Sequence, residues 1–117
     1  MTYEEEFEHV LLERTATAAG LTGHSFSGLI KLIKKAGAVA AASRLIAPTS
    51  SNIGRFPVGM RVLARAGLLH LSVEQAVIEF GEAGKIFSPE EVREAKQRLE
   101  MARMVLKRVQ KRFAPAS

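Results

Sequence analysis

Apolar residues recur along this chain at intervals of three and four, the period of a helix, and no run of β-branched residues alternates as a strand would. Thr2 and Glu5 have the spacing of a capping box, and Phe7, Val10, Leu11 and Ala18 follow at helical intervals up to Gly20. The pattern predicts a first helix near 3–19 with Gly20 as its stop. LTGHSFSG reads as a loop ending in a Ser cap, after which Leu29, Ile30, Leu32 and Ile33 build a second helix that stops near Gly37. The Ala-rich AVAAASRLIA makes a third, ending at Pro48; its small side chains let neighbours approach closely and suit it to the middle of a bundle. PTSSNIGR, residues 48–55, has no periodicity and predicts a mobile loop.

A fourth helix is expected from about Phe56 and Pro57, through Val58, Val62 and Leu63, to Gly67. Leu68 to Leu71 is a connection that must turn its apolar side chains inward. Ser72 and Gln75 repeat the capping spacing ahead of a fifth helix that Gly81 and Gly84 should end. Ser88, Pro89 and Glu91 combine a cap, a first-turn proline and a reciprocal Glu, and nothing interrupts the pattern that follows. At 117 residues the chain can bury one core and no second one. The expected fold is all-α: a single-domain bundle of five to six helices over residues 1–117, with a long C-terminal helix and a frayed tail at 114–117.

The last helix carries a seam, Val92, Ala95, Leu99, Ala102, Leu106, Val109 and Phe113, spaced alternately three and four. Such a seam serves a dimeric coiled coil or seats a long helix on its own bundle. The second is preferred, because three heptads with two Ala positions are marginal for independent pairing. The flanking Lys96, Arg98, Arg103 and Arg112 would oppose like charges in a parallel self-pair, whereas Glu4, Glu5, Glu6, Glu8 and Glu13 of the first helix would answer them. The preferred arrangement therefore sets the terminal helices against each other, within one chain or exchanged between two in a homodimer; Val92, Leu99, Leu106, Val109 and Phe113 would form the interaction face.

Composition changes the picture mainly by exclusion. There is no Cys and no Asp, which removes disulfides, thiolate metal sites, Asp-based triads and EF-hand loops. His9, His24 and His70 have no spacing that places two on one helical face, so a catalytic or metal site would need a pocket that gathers His24 or His70 with a Glu. The expectation is a non-enzyme that needs no cofactor and no metal. The acidic opening MTYEEEFEH lacks the positive charge of a secretory or mitochondrial signal, and no stretch approaches 18 apolar residues, so a cytoplasmic protein with no membrane partner is expected.

Charge is distributed unevenly. The chain has 17 Lys and Arg against 12 Glu, yet no acidic residue lies between Glu13 and Glu74, while Arg14, Lys31, Lys34, Lys35, Arg44, Arg55, Arg61 and Arg65 fall in that interval. Lys31, Lys34 and Lys35 share one helical face and Arg61 and Arg65 another. A plain solvated face usually mixes both signs, so this concentration points to a polyanionic partner, nucleic acid or an acidic protein. Lys31, Lys34, Lys35, Arg44, Arg55, Arg61 and Arg65 are its candidate contacts. A second basic run, Arg103, Lys107, Arg108, Lys111 and Arg112, is assigned to the acidic first helix, with extension of the binding surface as the alternative. The aromatic residues Phe26, Phe56, Phe80, Phe87 and Phe113 fit core positions better than base-stacking ones, which favours DNA over RNA.

Two resemblances accompany this reading. LIKKAGAVAAASRLIAPTSSNIGRF resembles the helix-turn-helix tail of Fis-type DNA-binding proteins, with Ala41, Ala42, Leu45 and Ile46 in its first helix; Gly54 and Pro57 interrupt the reading helix, so phosphate contacts are expected rather than base readout. Residues 37–99 also resemble a small bacterial helical module, through GAVAAASRLIAP, then Phe and a helix ending AGLLHLSVEQAV, then IFSPEEVREAKQRL. The module more often has Asp where His70 stands. That likeness implies a helical fold and transfers no catalytic or binding residue.

Overall fold

The computed structural model describes residues 2–47, 58–84 and 86–113, with the side chains of 58, 84 and 109–113 left aside. Among the described residues there are six α-helices and no strand: α1 (Tyr3–Thr22), α2 (Ser27–Ala36), α3 (Ala38–Ile46), α4 (Val58–Ala66), α5 (Val73–Gly84) and α6 (Pro89–Phe113), with a turn of 3-10 helix at Leu69–Leu71 before α5. The expected loop at 48–55, the start of the fourth helix, the place of a reading helix and the tail at 114–117 lie outside the described residues. No described helix is long and apolar enough to cross a membrane.

Local chemistry sets most helix ends. The Glu5 N–H donates to Thr2 Oγ1 at 3.1 Å while Glu5 Oε1 accepts from the Thr2 N–H at 3.4 Å, so the capping box forms. Ser88 and Glu91 do the same at 2.9 and 3.1 Å at the start of α6, and Ser72 Oγ accepts from the Gln75 N–H at the start of α5. Two glycines depart from the expectation. α1 runs through Gly20 to Thr22 and ends at Gly23, whose φ of 78° supplies the left-handed turn. A glycine inside a helix costs about 1 kcal/mol relative to Ala but does not end it; the positive φ does. α5 likewise passes through Gly81 and reaches Gly84. The expected Ser cap of α2 is replaced by Phe26, which caps without a side-chain bond at φ 51°, the one positive φ outside glycine among the described residues.

The core consists of two clusters. One gathers Phe7 and Leu11 of α1, Ile33, Ala41, Ala42, Ile46, Ala76, Val77 and Phe87 with Val92 and Ala95 of α6. The other gathers Ala18, Phe26, Met60, Leu63 and Leu69 with Leu99 and Ala102. The two longest helices thus thread both clusters. Phe7 sits edge-on between Phe80 and Phe87, at centroid distances of 5.4 and 5.1 Å, a geometry aromatic quadrupoles favour. Ala41 and Ala42 are wholly buried, as the small-residue pattern of α3 implied.

The seam of α6 is spent on this core. Val92, Ala95, Leu99 and Ala102 are buried, Leu106 is half-buried, and Val109 and Phe113 fall among the side chains left aside. α6 packs chiefly on α5, and the terminal helices are not the principal pair. The acids that answer α6 come from α5 and from α6 itself: Glu82 of α5 takes Lys96 at 2.5 Å, and Arg98 meets Glu74 of α5 and, four residues back on its own helix, Glu94. Among the described residues no ion pair joins α1 to α6, which corrects the expected intrachain pairing. α5 supplies carboxylates nearer to hand, and itself binds α1 through a bidentate pair from Arg14 to Glu79 at 2.8 and 2.9 Å.

Candidate nucleic-acid interface

Lys31, Lys34 and Lys35 are all exposed on the side of α2 opposite buried Ile33, because residues three and four apart share a helical face. Arg44 is exposed on α3, and Arg61 and Arg65 are exposed on α4 across from buried Leu63. Arg55 lies outside the described residues. None of these six described cations forms an ion pair among the described residues, whereas Arg14, Lys96 and Arg98 all do. The contrast has a simple origin. Helices α2 to α4 carry no acid of their own, and the carboxylates of α5 are engaged by Arg14, Lys96 and Arg98.

The cations fall into two groups. Lys31, Lys34, Lys35 and Arg44 are carried by α2 and α3, which pack on each other. α4 packs against α6, and Arg61 and Arg65 border a groove of about 130 Å³ whose floor includes Ala102, Val105 and Leu106 of α6. On the other flank of α6, Arg103 and Lys107 line a groove against α5. Arg103, Lys107 and Arg108 are exposed and form no ion pair among the described residues, so the described acids of α1 do not neutralise this run. Lys111 and Arg112 belong to the side chains left aside.

Arg98 behaves differently from its neighbours. Its guanidinium donates to the Leu45 carbonyl at 2.6 Å and the Ala47 carbonyl at 3.4 Å, meets Glu94 at 3.4 Å and stands 3.9 Å from Glu74. It therefore serves carbonyls at the C-terminal end of α3, where backbone acceptors lack helical partners and positive charge is favoured. Glu74 is only 5% exposed. Burial pushes its carboxyl above the ordinary range, against the opposing pull of its own N–H and of Arg98. Nothing in the local sequence marks Glu74 as buried or Arg98 as its partner, and only the approach of α5 to α6 in the folded chain reveals the pair.

Glu74 and His24 both line a half-open cavity of about 360 Å³ bordered by α1, the ends of α2, α3 and α4 and the turn into α5. The His24 ring stands edge-on to Phe26, 4.5 Å between centroids. The condition set out for a histidine and a Glu in one pocket is thus met by His24 and Glu74. His70 is exposed on the 3-10 turn, and His9 is exposed on α1 beside Glu13 at 3.5 Å. Among the described residues no group of three or more His or Glu could hold a metal ion.

No family model matches the chain, and no curated protein or solved structure matches it.

Proposed function

We propose that the chain binds a polyanion, nucleic acid and DNA above RNA, by phosphate contacts from Lys31, Lys34, Lys35, Arg44, Arg61 and Arg65. The observation that carries this reading is that all six are exposed and lack ion pairs among the described residues, in a stretch of sequence with no acid. Each phosphate neutralised releases counterions, so such cations act additively and need no single pocket. Phe26 and Phe87 are buried at 7% and 5%, which withdraws them from base stacking and supports duplex backbone contacts over single-strand recognition. Fluorescence anisotropy with mixed-sequence duplex DNA and RNA tests the reading. Affinity should fall steeply between about 50 and 200 mM salt and differ little between sequences; no binding at the lowest salt ends it.

A homodimer is the second reading, favoured by the exposed Met101, Met104 and Val105 on α6 and by the exposed Glu4, Glu5 and Glu6 and half-buried Glu8 on α1. Exchange between chains would bring these acids to Arg103, Lys107 and Arg108. Light scattering decides it: a monomer for both the full chain and one truncated after Leu99 removes this reading.

A further inference from the structure

We propose that the cavity between the ends of α2, α3 and α4 and the turn into α5 binds a small apolar molecule bearing a protonated amine or amidine, with Glu74 receiving the cationic head. The site is distinct from the basic surfaces and does not depend on them. A space of about 360 Å³ in a chain of 117 residues falls within the range of ligand sites, about 300–1000 Å³. It is more than twice the roughly 150 Å³ that accommodates a benzene ring in an engineered core cavity.

The walls set the ligand's body. Ala18, Leu29, Leu45, Met60 and Leu63 make them apolar, and the two buried hydroxyls are engaged: Thr15 Oγ1 donates to the Leu11 carbonyl at 2.7 Å, and Ser72 Oγ accepts from the Gln75 N–H at 3.1 Å. The exposed Ser27 hydroxyl and the His24 ring lie at the rim, and the buried carboxylate sets the head. Glu74 is an acceptor when ionised; besides its own N–H it has Arg98 at 3.9 Å, while the shorter bonds of Arg98 go to the Leu45 and Ala47 carbonyls and Glu94. An ammonium or amidinium supplies the short, charge-assisted donors that Arg98 does not. Burial holds the ionised carboxylate at a cost that a cation in the cavity removes. A ligand carboxylate would meet Glu74 as a like charge and is rejected, and a lone carboxylate is too few ligands for a metal ion.

Calorimetric titration of the full chain with 2-phenylethylamine, 2-phenylethanol and 3-phenylpropionic acid tests the site, with methyl NMR shifts locating each compound. The amine should saturate one site, shift the methyls of Met60, Leu29 and Leu63, and bind about tenfold or more tighter than the alcohol, as expected for a hydrogen bond to a charged group; the acid should not bind. Glu74→Gln, with its fold checked by circular dichroism, should weaken the amine about tenfold and leave the alcohol unchanged. The proposal is overturned if the amine does not saturate, if its shifts lie away from the cavity, if the three compounds bind alike, or if a folded Glu74→Gln variant keeps full amine affinity. Should that variant fail to fold, the preference of the unaltered chain for amine over acid, with its methyl shifts, decides the matter.

Discussion

Gly81 and Val92 meet so closely across the α5–α6 contact that a β-carbon on Gly81 would collide with Val92 Cγ2 and come within 3.4 Å of Phe87 Cβ. Two effects of opposite sign then compete at this position. Helix propensity favours Ala over Gly by about 1 kcal/mol. Overpacking costs about 1–3 kcal/mol, and a β-branched Val in a helix has one dominant rotamer and cannot swing aside. Overpacking wins: Gly81→Ala should lower stability in urea unfolding. Gly81→Ala with Val92→Ala should be more stable than the two separate losses imply, with a coupling of about 0.5–3 kcal/mol. Additive losses would show that the helices separate freely.

Arg98 holds carbonyls of α3 and faces buried Glu74, with its own side chain 12% exposed. Replacing Arg98 by Met strands the carboxylate and those carbonyls, and should cost about 3–5 kcal/mol in urea unfolding. Arg98→Met with Glu74→Gln should recover part of that loss, because the stranded charge is gone. No recovery would assign the whole cost to the α3 carbonyls.

Acid unfolding should show two opposing limbs. Arg14 holds the Glu79 carboxyl below the ordinary value of 4.5, chiefly by its hydrogen bonds, so the unfolded chain binds more protons there and stability is lost as pH falls below 4.5. Glu79→Gln should flatten that limb, modestly and less so at high salt, since the pair is partly exposed. Glu74 has the reverse sign. Its raised carboxyl makes the folded state bind more protons above 4.5, so its contribution declines as pH rises from there. Urea unfolding from acid to neutral pH should show this decline in the unaltered chain and not in Glu74→Gln.

Removing Lys31, Lys34 and Lys35 together should reduce the slope of log affinity against log salt by about three, and removing Arg61 and Arg65 by about two, each loss being similar for unrelated DNA sequences. Anisotropy titrations at several salt concentrations measure both. An unchanged slope in either variant removes that group from the contact surface.

Much of the fold was legible because its signals are local. Thr2 with Glu5 and Ser88 with Glu91 sit three residues apart and need only each other, and the alanines of α3 declare close packing by their size. What could not be read depends on distant partners. Gly20 and Gly81 resemble stops until the chain is seen to continue, and the acids that answer Lys96 and Arg98 could have come from either of two helices. The basic residues of the proposed interface were readable as a charge pattern. Their division between the α2–α3 pair and the α4–α6 groove was not, since it follows from which helices pack together.

Phe26 has a wider role than capping. It is held at φ 51°, its ring is buried, and a β-carbon on Gly59 would stand 3.2 Å from that ring. The same residue forms part of the cavity wall and opens the helix that carries Lys31, Lys34 and Lys35. A strained residue of this kind costs on the order of 1–3 kcal/mol and persists only while its surroundings hold it. One ring thus plugs the bundle, walls the cavity and fixes the direction in which the lysine-bearing helix leaves it.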